Sequence, residues 1–423
     1  MVMEEHDYYV RENYLKKIRP FYSDDLIKVL TGVRRCGKSS ILHMIANELR
    51  QTGVKEENIV FLNLDQRPYL SIRTPDQLDQ LIEKKFQGVS GEKYLFIDKI
   101  QNIKGYELVV NAYREEGDYS IFITGSNSYL LSGELMTKLT GRYLEFEILP
   151  LSFHEYLGMK EHFHKPLKPS DDENFLDYIE EGGFPYAVFL DTPEAKQKYT
   201  EETIREIFEK DIRRNKKIRK KAVFEKIQDY IINNFGATTS LTSLSRYLDK
   251  VCHMNVRKET IYNYLSVLEN AKIVSRCSRF DLKSKSSLQG EEKYYLTDLS
   301  IYFARNVDNR VNYGPVLENI VYNYCRSKDI HASIGKFKNM EVDFVLRNPD
   351  RSYAYVQVAR TIMAGEEDEK GIPATEEREY RPLEAIRDNY PKYVLTMDRL
   401  LQRRNGIHHD NVVDFLKEEK SFI

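Results

Sequence analysis

Apolar residues recur along this chain in two rhythms. Up to about Pro150, short runs at Leu26–Leu30, Asn58–Leu64, Lys93–Asp98, Tyr119–Thr124 and Arg142–Leu149 alternate with helical stretches such as Ser40–Leu49. A run that is apolar at consecutive positions has no polar face to turn to water, so it predicts a strand covered on both sides. Strand and helix in alternation predict a parallel sheet with helices on both faces, the α/β class.

The pattern then changes. Residues 165–225 are helical in spacing and strongly charged. From Ala222 to about Ala304, Leu241, Leu244 and Leu248 share one helix face after the capping candidates Thr238, Thr239 and Ser240, and Ile261, Tyr264, Leu265 and Leu268 share another. An extended stretch from Arg276 to Leu296 follows, with a Lys- and Ser-rich tip at Lys283–Ser287. Helix, turn, helix and β-ribbon is the winged-helix order, with Arg257, Lys258, Tyr262 and Asn263 as candidate groove-facing residues. The same shape serves equally as a protein-interaction or spacer module. From about Gly314 the spacing predicts a helix over Val316–Tyr324 and strands at His331–Phe337, Glu341–Arg347 and Tyr353–Arg360. A further helix and strand run through Glu384–Thr396, and the acidic Gly365–Lys370 is expected as an exposed loop.

Composition narrows the picture. At 423 residues the chain exceeds one ordinary core, and about three domains are expected. A net charge of −2 provides no global basic field, so contact with nucleic acid must come from a local patch. The densest is Lys210–Lys221, whose Lys and Arg residues form either a solvated helix face or a phosphate-backbone contact. The N-terminal residues lack a basic-then-apolar signal pattern and no long apolar run offers a membrane span, so a cytoplasmic protein is expected. Cys36, Cys252, Cys277 and Cys325 lie far apart without metal-ligand spacing, as reduced thiols would.

The chemistry concentrates at Gly32-Val33-Arg34-Arg35-Cys36-Gly37-Lys38-Ser39, which matches G-x-x-x-x-G-K-[ST] between a strand and a helix. Glycines let successive backbone N–H groups face inward, and the following helix N-terminus adds partial positive charge. Gly32 through Ser40 are therefore expected to cradle a nucleoside triphosphate, with Lys38 at the β/γ-phosphates and Ser39 on Mg²⁺. Tyr94-Leu95-Phe96-Ile97-Asp98 has the shape of a Walker B strand that delivers Asp98 to the same metal. Ser126 and Asn127 lie in a polar cluster beyond the strand ending at Thr124, on the sheet edge where ligands sit. Arg142 is either a surface residue or one that reaches a phosphate; acting on a neighbouring subunit would require an oligomer.

With these residues in place, the chain resembles the prokaryotic AAA-type ATPases, relatives of the STAND group, that carry a C-terminal domain of unknown function. The resemblance rests on the phosphate loop, Phe96-Ile97-Asp98 with Ile100-Gln101-Asn102, Thr124-Gly125-Ser126, Gly141-Arg142 and Leu149-Pro150-Leu151-Ser152-Phe153. It extends through Gly182-Gly183-Phe184-Pro185, Tyr294-Tyr295-Leu296-Thr297-Asp298, Leu317-Glu318-Asn319 and Glu341-Val342-Asp343-Phe344-Val345. It implies ATP as the nucleotide and an additional-strand, AAA-like P-loop NTPase sheet over residues 1–160. A helical lid over 161–221, a winged helix over 222–308 and a domain similar to restriction-endonuclease folds over 309–423 would follow.

Two departures shape the functional expectation. Where the family pattern places a Glu after the Walker B Asp, to polarise the attacking water, this chain has Lys99. A protonated amine is no general base and opposes a nearby Mg²⁺. Asp65, at the end of the neighbouring strand, is a candidate to take over water positioning. In the C-terminal segment Glu318 and Asp343 match the first acids of a nuclease, but the expected Glu-x-Lys is Gln357-Val358-Ala359. Arg360 cannot stand in, because neighbouring strand residues point to opposite faces. The domain is thus expected to be catalytically dead. The expected function is an ATP-binding switch with slow or conditional hydrolysis that repositions the later modules. The alternatives are a DNA-binding regulator with a mainly structural ATPase domain and, less favoured, a Mg²⁺ nuclease.

Overall fold

The computed structural model describes residues 7–125, 139, 141–212, 218–284, 286–305, 312–337, 340–365 and 373–422. The chain forms two compact units. One comprises Met1–Pro150 with Ile207–Arg214 and Asn270–Lys272, the other Leu151–Glu206, Asn215–Glu269 and Ile273–Ile423.

The first unit is built on a parallel sheet of β1 (Ile27–Thr31), β2 (Ile59–Asn63), β3 (Lys93–Asp98), β4 (Tyr119–Thr124) and β5 (Tyr143–Glu147), in the order β2-β3-β4-β1-β5. β4 thus stands between the strand that leads into the phosphate loop and the strand that ends in Asp98, which is the additional-strand arrangement. Helices α1 (Glu12–Ile18), α2 (Lys38–Gln51), α3 (Pro75–Lys85) and α4 (Tyr106–Glu116) belong to the same unit. Leu62, Ile97, Ile123 and Val29 of the strands pack with Leu78 and Ile82 of α3 and Val109 and Val110 of α4. On α2, His43 stacks on Phe61 at 4.0 Å between centroids, and Phe61, Phe96 and Phe122 continue the stack across β2, β3 and β4. Phe96 and Phe122 are fully buried, and a fully buried side chain of this size contributes about 1.5–3 kcal/mol.

Lys28 interrupts the apolar run of β1 yet is fully buried. Its Nζ donates to the Asp24 carbonyl at 2.8 Å and to Ser120 Oγ at 2.9 Å, and lies 4.7 Å from the centre of the Phe122 ring. Burial pushes its pKa down to about 8. A paired lysine is therefore compatible with a central strand.

The second unit carries a nine-stranded sheet in the order β13-β14-β12-β11-β10-β9-β7-β8-β6. Its strands are β6 (Thr238–Thr239), β7 (Val274–Asp281), β8 (Ser286–Leu296), β9 (His331–Phe337), β10 (Met340–Arg347), β11 (Tyr353–Val358), β12 (Lys392–Thr396), β13 (Arg403–Arg404) and β14 (Ile407–Asn411). β7 and β8 form the expected hairpin, and β6 pairs with β8 through Thr238 and Thr239. β7 also pairs in parallel with β9, Arg279 to Asp281 opposite Ile334 to Lys336. One sheet therefore runs across the boundary expected at residues 308 and 309.

Helices Lys221–Asn233, Leu241–Lys250 and Lys258–Asn270 precede the hairpin. Ser240 caps the middle one by accepting from the Ser243 amide, and Leu244, Leu248, Ile261, Tyr264, Leu265 and Leu268 are buried as their spacing predicts. Of the basic run Lys210–Lys221, residues 213–217 lie outside the described residues.

Two motifs far apart in sequence meet in this unit. The Gly183 amide donates to Asp298 Oδ2 at 2.7 Å, and the Ser300 amide donates to Oδ1 at 3.0 Å. A Cβ at Gly182, whose φ is +76°, would come within 2.0 Å of Asp298 Oδ1. Burial pushes Asp298 up to about 6, against the pull of these hydrogen bonds. Nearby, Asn319 bonds both backbone groups of Leu296 at 2.7 and 2.8 Å.

Candidate nucleotide site and a C-terminal acidic cavity

β1 ends at Thr31 and the chain curls through Gly32–Gly37 into α2. Positive φ values at Gly32 (132°), Arg35 (68°) and Gly37 (101°) produce the curl. A Cβ on Gly32 would sit 2.0 Å from the Ile148 carbonyl oxygen beside β5, so only glycine fits there. Val33 and Cys36 are buried, Arg34 is half-buried and Arg35 exposed; Ser39 and Ser40 are half-buried on the first turn of α2. Lys38 Nζ lies over the loop, donating to the carbonyls of Gly32 at 2.8 Å and Val33 at 3.0 Å.

Sequence reasoning missed Arg11. Its buried guanidinium donates to the carbonyls of Cys36 at 3.1 Å, Leu149 at 3.0 Å and Pro150 at 3.3 Å, tying the N-terminal segment to the loop and to the exit of β5. A lone Arg before a short helix carries no local signal of this contact.

Asp98 ends β3 fully buried. Its Oδ1 accepts from the Thr124 hydroxyl at the end of β4, and Lys99 Nζ lies 3.7 Å from the same oxygen. Its Oδ2 is buried and has no donor among the described residues. A buried polar atom left so costs about 1–3 kcal/mol, and a hydrated divalent cation would supply what it lacks. The unsatisfied carboxylate oxygen of Asp98 is of the donor chemistry that Mg²⁺ takes. Thr124 belongs to the motif Thr124-Gly125-Ser126, but nothing in the sequence signals that its hydroxyl meets Asp98.

Asp65 follows β2, whose Asn63 is in register with Asp98. It lies exposed at the same carboxyl edge, its Oδ1 accepting from Asn102 Nδ2 at 2.9 Å. Ser126 and Asn127 lie outside the described residues. Arg142, expected either at the surface or at a phosphate, is exposed. Its carbonyl accepts from the Ile27 amide, so it sits at the amino edge of the sheet, whereas the loop leaves the carboxyl edge after Thr31. The length of β1 separates the two, roughly 13 Å at 3.3 Å per residue. The Arg142 side chain instead donates to Asn111 on α4 at 3.1 Å.

In the second unit, Glu318, Asp343 and Gln357 come together around a cavity of about 810 Å³. Two residues that sequence reasoning missed join them, Lys293 of β8 and Glu379 of the helix Ala374–Glu384. Lys293 Nζ lies 3.0 Å from both Glu318 and Glu341, and the Tyr295 hydroxyl donates to Glu318 at 2.8 Å. Asp343 accepts from the Val358 amide at 2.8 Å. The Gln357 amide bridges, accepting from the Asp343 N–H at 2.7 Å and donating to Glu379 at 2.8 Å. Burial, then the charge of Glu318, holds Asp343 well above the usual carboxylate range, and burial also raises Glu318. Burial works against the Lys293 charge, but Glu318, Asp343 and Glu341 outweigh it and raise its pKa.

A strand–loop–helix phosphate cradle with an inserted strand and a buried acid beside it defines a P-loop protein of AAA type. The AAA domain family matches residues 24–157, and a domain of unknown function (DUF8612) matches residues 172–310. An uncharacterized protein of Haemophilus influenzae is 32% identical over 407 residues, covering 96% of this chain and 98% of the relative. The uncharacterized protein MJ1544 of Methanocaldococcus jannaschii is 31% identical over 333 residues, covering 76% and 72%. This chain belongs to one family with them. Among solved structures, the Walker-type ATPase PABY2304 of Pyrococcus abyssi aligns at a TM-score of 0.49 and 16% identity, covering 71% of this chain and 96% of its own. The Aeropyrum pernix ORC1 protein, solved in complex with DNA, aligns at 0.35 and 14%, covering 71% and 94%. Among the described residues, no helix is long and apolar enough to cross a membrane.

Proposed function

We propose that this chain binds Mg-ATP in the loop Gly32–Ser40, hydrolyses it slowly, and passes its nucleotide state to the lid, winged-helix and C-terminal segments. The observation that carries this reading is the buried Asp98 Oδ2 without a donor, at the carboxyl edge from which the loop departs. When bound, Mg²⁺ would neutralise phosphate charge; Ser39 and Asp98 would hold it. Lys38 would exchange the Gly32 and Val33 carbonyls for the β/γ-phosphates. Thr124 orients Asp98 through its hydroxyl. Lys99, whose ammonium already neighbours Asp98, opposes the metal and supplies no base, which favours a long-lived bound state.

Lys38→Ala is expected to weaken Mg-ATP binding about 10- to 100-fold, the worth of a charged hydrogen-bond set. Calorimetric titration measures it, and unchanged affinity would remove the loop from nucleotide binding. Saturating Mg-ATP should also protect the chain against heat and protease, because a ligand at a hundredfold excess over Kd adds about 2.7 kcal/mol.

A second reading, DNA binding through the helix Lys258–Asn270, is supported by the helix and strand order and by exposed Arg257, Lys258, Tyr262 and Asn263. Removing Arg257 and Lys258 together should then lower the salt slope of duplex binding by about 2, roughly one per phosphate contact. Absence of any salt-dependent binding would exclude this reading.

A further inference from the structure

The resemblance to restriction-endonuclease folds implies a divalent metal between Glu318 and Asp343, and the residues present do not fit one. Among the described residues, no group of three His, Cys, Asp or Glu side chains is placed to hold a metal ion. The carboxylates are committed elsewhere. Glu318 receives Lys293 Nζ at 3.0 Å and the Tyr295 hydroxyl at 2.8 Å, and Asp343 receives the Val358 amide at 2.8 Å. Glu379 receives Gln357 Nε2 at 2.8 Å and Arg378 Nε at 2.8 Å.

We infer that the Lys293 ammonium is the resident cation of this cavity, occupying the role that a divalent ion plays in a metallonuclease. Three features support it independently of the nucleotide site. Lys293 is buried although charged, and an ammonium in that position persists only when carboxylates surround it. A Mg²⁺ ion binds carboxylate oxygens at about 2.0–2.1 Å, so one placed on Glu318 would face the like charge that Lys293 already holds on Oε2 of the same carboxylate. Gln357 is the residue type that a metal-free network requires. A second acid there would oppose Glu379, whereas the amide satisfies an N–H on one side and a carboxylate on the other.

The arrangement has a mechanical consequence. Lys293 lies on the hairpin strand β8, Glu318 on the helix Tyr313–Ser327 and Glu341 on β10, so the ammonium clamps the hairpin to the C-terminal part of the sheet. The acids that would have bound metal have become the anchor of a joint.

Titration of the nucleotide-free full chain with Mn²⁺, followed by electron paramagnetic resonance, tests the assignment. Any Mn²⁺ held near the phosphate loop is common to all variants and cancels. Wild type and Asp343→Asn are expected to bind Mn²⁺ alike. Lys293→Met is expected to lose on the order of 10 °C in Tm, as a broken buried pair does, and to recover part of it in millimolar Mn²⁺ while wild type does not. Mn²⁺ bound by wild type and lost in Asp343→Asn would overturn the inference, as would a Lys293→Met protein with the wild-type Tm. If Lys293→Met does not fold, the comparison of wild type with Asp343→Asn decides alone.

Discussion

Replacing Lys99 by Glu is expected to raise ATP turnover by about 10²-fold or more, with Mg-ATP affinity changed only a few-fold. Lys99 directly follows the buried Asp98, at φ +64°, with its ammonium 3.7 Å from Asp98 Oδ1. The backbone already accepts a long side chain in this left-handed position, so Glu adds no strain that Lys does not carry. The exchange removes a charge that opposes the metal and adds a carboxylate able to polarise water. Positioned acid–base groups contribute about 10²–10⁴-fold, which sets the scale of the gain. Phosphate release under saturating ATP, for wild type and Lys99→Glu with and without DNA, measures it. Equal turnover in the two proteins, with equal binding, would show that Lys99 is not what restrains hydrolysis.

Gly32→Ala is expected to cost roughly 2–5 kcal/mol of stability and to abolish protection by nucleotide. The added Cβ would lie 2.0 Å from the Ile148 carbonyl oxygen and 3.0 Å from Cys36 Sγ, at φ +132°. The first of these atoms is backbone and cannot rotate away, so β5 and the loop must separate. Gly88→Ala provides the control, because Gly88 also has positive φ (79°) but nothing within 4 Å of a Cβ. It should lose only the backbone term, about 1 kcal/mol. Chemical denaturation of both variants separates clash from strain, and equal losses would refute the clash.

The first unit was largely legible from sequence because its signals are local. Expected strands Lys93–Asp98 and Tyr119–Thr124 are observed at those bounds, and Asn58–Leu64 shortens only to Ile59–Asn63. A strand buried on both faces must be apolar throughout, and a phosphate loop must carry glycine where φ is positive. Strands β13 and β14 were not legible, because Ile407-His408-His409-Asp410-Asn411 looks polar. There His409 is buried by pairing, with Nε2 2.8 Å from Thr396 Oγ1 and Nδ1 accepting from the Gln402 amide at 3.1 Å. Polarity hides a strand whenever its partners come from elsewhere in the chain.

The sequence by itself determined the phosphate loop, the acid at the end of β3, and the alternation of strands and helices up to about Pro150. These follow from backbone sterics and from the chemistry of single side chains. Only the tertiary structure decided that Arg142 faces the wrong edge for its own loop, that Arg11 and Thr124 buttress the site, and that β7 joins β9 in one sheet. It alone brought Lys293 into an acidic cavity formed by residues far along the chain. Strand register and the meeting of distant charges depend on how elements pack, and no local pattern of residues encodes that packing.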